Sequence, residues 1–82
     1  MDCFDRIEAL IDAGGEHAVS EARALLDQFK GNSPKIAAAV DELLLELMTS
    51  TFLAEAGRDT FQRSAQRLAH LRLSKLKLML SP

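Results

Sequence analysis

The chain has 82 residues, 48% of them hydrophobic, with a formal net charge of −2 and one cysteine. That length holds one domain, read here as a single helical unit over residues 1–82. A lone cysteine excludes an internal disulfide, and no apolar run approaches the roughly 20 residues that span a bilayer.

The apolar load is heavy for so short a chain. Besides 12 alanines and Cys3, 26 residues are Leu, Ile, Val, Met or Phe. A domain of this size buries only about 60–65% of the surface its unfolded form exposes. Large apolar side chains left in clusters on the surface favour association. The composition therefore predicts an oligomer, or a subunit docked on a partner. The N-terminal stretch MDCFDRIEAL is acidic and lacks the basic-then-apolar pattern of a leader. With the single cysteine, this predicts a protein of the reducing cytoplasm.

Helix formers dominate, with no Tyr or Trp. In residues 2–13, Phe4, Ile7, Leu10 and Ile11 repeat at three and four, the period of a helix. Ala18, Ala22, Leu25, Leu26 and Phe29 repeat in the same way over residues 16–30. Gly14-Gly15 separates the two stretches and costs about 2 kcal/mol in a helix interior. The apolar phase nevertheless runs through it, so a turn and a kink in one long helix are both open.

Gly31 suits the residue just past a helix end. Ser33-Pro34 then reads as an N-cap followed by the first helical residue. The third helix is expected from Pro34 to about Ala56, with Ile36, Val40, Leu43, Leu44 and Leu47 on one face. Leu45, Phe52 and Leu53 lie off that face. Thr49-Ser50-Thr51 can bend or break the helix, because its hydroxyls can bond back to the preceding turn. Gly57 is the next stop. Asp59 and Gln62 are spaced as a capping box, which starts a last helix running from about Thr60 to Met79.

That helix contains RLAHLRLSKLKLML, residues 67–80, with leucine on several faces. On a helical wheel Phe61, Ala65, Leu68, Leu76 and Met79 share one stripe, of which Leu68, Leu76 and Met79 are expected to hold the fold. Leu71, Leu73, Leu78 and Leu80 flank it and are the candidate partner-binding residues. The fold predicted is all-α, a small hairpin or bundle of three to four helices, oligomeric or partner-docked.

Charge is unevenly spread. Residues 1–57 carry 11 acids and four bases, while residues 58–82 carry six bases and one acid. The simplest account is a basic end packed beside an acidic part. The rival is a nucleic-acid contact through Arg63, Arg67, Arg72, Lys75 and Lys77. The acidic balance and the absence of a helix-turn-helix or basic-zipper pattern speak against that rival.

Little in the chain points to catalysis. Cys3, His17 and His70 are too far apart in sequence for a zinc-site spacing. The stretch from Ala69 to Ser74 is similar to the histidine phosphotransfer motif in its Ala-His pair only. The leucine and the base are out of register, and no glycine follows. Gly14-Gly15 lacks the strand and spacing of a phosphate loop, and no serine stands in a nucleophile-elbow context. A unit this small has little room for a pocket of about 300 Å3. The expectation is a non-enzyme without cofactor, metal or small-molecule substrate. It acts through apolar helix faces on a protein partner or on copies of itself. In size, charge and helicity it is similar to the small acidic helical chaperones of bacterial secretion systems, although no motif is shared.

Overall fold

The computed structural model describes residues 2–81. They form helices α1 (Cys3–Ala13), α2 (Glu16–Leu26), α3 (Pro34–Glu55) and α4 (Asp59–Leu80), with one 3-10 turn over Asp27–Phe29 after α2. Helix takes up 86% of the described residues and none is in a strand, so the protein is all-α with four helices.

Each boundary has a local cause. Asp2 caps α1 by accepting a 2.9 Å hydrogen bond from the Asp5 amide, and Ser33 caps α3 by accepting from the Ile36 amide at 3.1 Å. Gly14 and Gly15 adopt φ of 69° and 91° with extended ψ of −175° and 165°. That region is essentially closed to residues with a Cβ, so the pair is a turn and not a kink. Gly57, at φ 74°, ends α3. Its amide donates to Ala54 O at 3.1 Å and the Arg58 amide donates to Leu53 O at 2.9 Å, the paired bonds of a Schellman ending.

Two expected end signals are not used. Gly31 is not in the left-handed region, because the 3-10 turn takes the chain out of α2 first. Asp59 is the first residue of α4 and caps nothing. Arg58 occupies the cap position without a side-chain bond, since the Schellman turn runs directly into the next helix. Asp59 instead sets a negative charge in the first turn, where the helix dipole favours it. Thr49-Ser50-Thr51 leaves α3 unbroken. The Ser50 and Thr51 hydroxyls donate to Leu47 O at 2.8 and 3.0 Å, and the Thr49 hydroxyl to Leu45 O at 2.8 Å.

The helices run up and down, each antiparallel to its neighbour in sequence, and α1 returns against α4. Side-chain contacts fix this order. Arg6 of α1 pairs with Glu21 of α2. The Arg23 guanidinium of α2 lies 3.7 Å from Met48 Sδ of α3. Lys77 of α4 lies 3.5 Å from Glu8 of α1. The α3–α4 hairpin has the most extensive packing and sets the length of a rod measuring 39 × 19 × 19 Å. The shorter α1 and α2 cover its inner side. Ile7 and Ile11, Leu26, Val40, Leu43 and Leu47, and Leu73 and Leu76 are fully buried between the four helices. This matches the faces expected for α1, α2 and α3.

Candidate interaction surfaces

The core line of α4 differs from the one expected. Ala65, Ala69, Leu73 and Leu76 are its buried residues. Leu73, a candidate partner contact, is only 1% exposed and belongs to the core. Leu80 is half-buried and also packs against the core. Leu68, expected to hold the fold, is 44% exposed. The physical reason is the pair of alanines. A line of small residues lets a helix sit close against its neighbours, and a wheel weighted by large side chains undervalues it.

Leu71 and Leu78 stand where they were expected, 61% and 76% exposed. Phe61 and Leu68 join them as exposed large apolar residues of the same helix. These four are spaced seven, three and seven residues apart, so Phe61 and Leu68 fall on successive a positions and Leu71 and Leu78 on successive d positions of one heptad frame. They fall within about 100° of helix surface, on the side away from α1. Reading the period as a heptad rather than as one broad stripe would have found this second line in the sequence. Helix α4 therefore presents one apolar line inward and another outward.

The basic residues of α4 divide. Arg72 lies along the α3–α4 boundary, with Nη1 3.2 Å from Glu42 Oε2 and Nη2 3.4 Å from Glu46 Oε1. Its Nε is covered and has no hydrogen-bond partner among the described residues. Lys77 reaches Glu8 and sits 5.8 Å from the centre of the Phe4 ring, within cation–π range. Arg63, Arg67 and Lys75 are exposed. Two of the five candidate nucleic-acid contacts are therefore directed at carboxylates of their own chain. Glu46, with its side chain 18% exposed, is the most enclosed acid among the ion pairs of the described residues.

A second exposed apolar group, Leu45, Met48 and Phe52, lies on α3 towards α2. Met48 and Phe52 border a shallow groove of about 350 Å3 that also takes in Glu16, Val19 and Glu55. The chain thus has a concavity of a size it was expected to lack. It lies in the seam between two helices, over the partly buried Val19.

The described residues hold no cluster of three His, Cys, Asp or Glu side chains fit for a metal ion. Burial, and secondarily the Asp2 charge, push the Cys3 thiol above its ordinary value, which disfavours the reactive thiolate. His70 Nε2 lies 2.8 Å from Asp12 Oδ1 and ties α4 to the end of α1. No helix among the described residues is long and apolar enough to cross a membrane. Comparison with family models, with curated proteins and with solved structures returns no match to the chain.

Proposed function

We propose that the protein is a non-enzymatic interaction module: an adaptor, regulatory subunit or chaperone-like partner that docks a protein surface on the outer face of α4. One observation carries the reading. A helix whose inner line already fills the core bears a second line of Phe61, Leu68, Leu71 and Leu78 in solvent. A self-contained bundle needs one apolar stripe per helix. Each large apolar side chain left in water forgoes roughly 1.5–3 kcal/mol, and a partner recovers that on binding. With one cysteine and no membrane-crossing helix among its described residues, such a module suits the reducing cytoplasm.

The test is the double variant Leu71→Ser/Leu78→Ser. Its circular dichroism should match the wild type, while its mass in light scattering falls or capture of a host protein is lost. A wild type that is monomeric and captures nothing, with a variant that behaves identically, ends the reading. Nanomolar, sequence-selective binding to duplex DNA at physiological salt would replace it with the nucleic-acid alternative, since non-specific electrostatic binding reaches only about 1–100 μM.

A further inference from the structure

The outer face of the α3–α4 hairpin is divided lengthwise by charge. The α3 edge carries Glu42 and Glu46, and the α4 edge carries Arg72 and Lys75. The ion pairs from Arg72 place these edges side by side. Lys35, near the start of α3, is the one base on the acidic edge. Glu42 and Lys75 stand within about one helical turn of the same height, because both line one shallow groove of about 260 Å3 between α3 and α4 and Arg72, three residues before Lys75, meets Glu42 and Glu46. Lys75 makes no ion pair among the described residues, while Glu42 uses one carboxylate oxygen towards Arg72 and keeps acceptor capacity. The ridge of Leu68, Leu71 and Leu78 runs along the same face.

An acidic strip beside a basic strip is complementary to itself under one operation, a two-fold axis parallel to the helices. That rotation preserves height and direction. It lays α4 of one protomer antiparallel against α3 of the other, and sets Lys75 against the partner's Glu42 twice. Contacts across such an isologous interface always occur in reciprocal pairs. The other two-fold in this plane, perpendicular to the helices, would set α3 on α3 and α4 on α4, like charge against like.

Area is sufficient. A helix of 22 residues is about 33 Å long. Over a width of 19 Å, the face offers roughly 600 Å2 per protomer, which places the pair at the lower end of specific interfaces.

We propose, on the basis of the interaction reading above, that the occupant of this face is a second copy of the chain. Two α3–α4 hairpins then form an antiparallel four-helix layer, with α1 and α2 on the outside of each protomer.

Sedimentation velocity and light scattering on the full chain test this, together with two charge reversals, Lys75→Glu and Glu42→Lys. The wild type should have twice the 9.0 kDa chain mass at micromolar concentration. Each reversal alone sets like charges together at both reciprocal contacts and should weaken self-association about tenfold or more. An equimolar mixture of the two variants restores both contacts and should dimerise at least as tightly as the wild type. Circular dichroism controls for folding, because Glu42→Lys also removes the pairing with Arg72. A wild type that stays monomeric at 100 μM, on the order of a weak-contact concentration, overturns the second copy. The α4 reading then stands or falls on partner capture and the Leu71/Leu78 variant. A dimer indifferent to both reversals and to their mixture overturns the geometry.

Discussion

Arg72 of α4 reaches back across the hairpin to Glu46 of α3, its Nη2 3.4 Å from Glu46 Oε1, while Nη1 meets Glu42. The excess of base at the end of the chain is thus partly matched by acids placed earlier in it. A partly exposed pair contributes about 1 kcal/mol at most. The aliphatic stem, packed along the boundary, contributes alongside the charge.

The balance between stem and charge can be measured. Arg72→Ala should lower the unfolding free energy by about 1–2 kcal/mol, and Arg72→Met should recover most of that loss. Urea denaturation of the two variants provides the comparison. If Met is as damaging as Ala, the charge and not the stem holds the hairpin edge.

The Arg6–Glu21 pair between α1 and α2 sets a pH dependence. Its hydrogen bond to Arg6, ahead of the weaker charge effects, holds the Glu21 carboxyl below its ordinary value. A carboxylate with a lowered folded value contributes stability above its unfolded value and loses it as pH falls through the folded one. The contribution of this pair should therefore be present at neutral pH, begin to fall as pH drops below the ordinary glutamate value of about 4.3, and be lost as pH falls through the lowered folded value. Carboxyl carbon shifts in a nuclear magnetic resonance titration should show Glu21 titrating low, and Arg6→Ala should return it to the ordinary range. An unchanged titration in that variant would remove Arg6 as the cause.

Much of the fold was legible in the sequence because its signals are local. Ser33-Pro34 and Gly57 mark helix ends through backbone chemistry contained in a few residues. The three-and-four repeats of Ile7, Leu10 and Ile11, and of Val40, Leu43, Leu44 and Leu47, identify buried faces directly. What was not legible depends on packing. Whether Leu68 or Leu73 faces the core of α4 is set by how closely α4 can approach its neighbours. Ala65 and Ala69 decide that by being small. Leu71 and Leu78 are exposed on either choice of stripe, because they lie about 100° from the centre of the expected one and nearly opposite the one observed. The fate of Asp59 depended on whether Gly57 left a residue free to cap, which the Schellman turn does not.

At Gly14 and Gly15 the question is backbone alone, since a Cβ at either position would meet no atom within 4 Å. Their φ and ψ lie where side-chain-bearing residues pay of order 1–3 kcal/mol each. Gly14→Ala/Gly15→Ala should thus lower the urea midpoint markedly, by roughly 2 kcal/mol or more in free energy. A double variant that instead gained stability would show that α1 and α2 readily join into one helix, because alanine favours helix over glycine by about 1 kcal/mol per residue.

The two apolar lines of α4 make the sharpest prediction, because neighbouring leucines of like chemistry should behave in opposite ways. Leu73 and Leu76 are enclosed by the core of all four helices. Truncating either to alanine removes apolar contacts and leaves a cavity the bundle can only partly close, costing about 2–5 kcal/mol. A domain of this size has only about 5–15 kcal/mol in total, so such variants should unfold at low urea or fail to fold. Leu71 is 61% and Leu68 44% exposed, so Leu71→Ala should change stability by less than about 0.5 kcal/mol in the isolated protomer, and Leu68→Ala should cost clearly less than either core truncation. Measured at concentrations spanning any self-association, Leu71→Ala should lose stability only where the wild type is associated, because binding stabilises the folded state by mass action. The inner variants should lose it at every concentration. If Leu68→Ala proved as costly as Leu73→Ala in the dilute protomer, α4 would be rotated by about one residue, and the outward line would belong to the core.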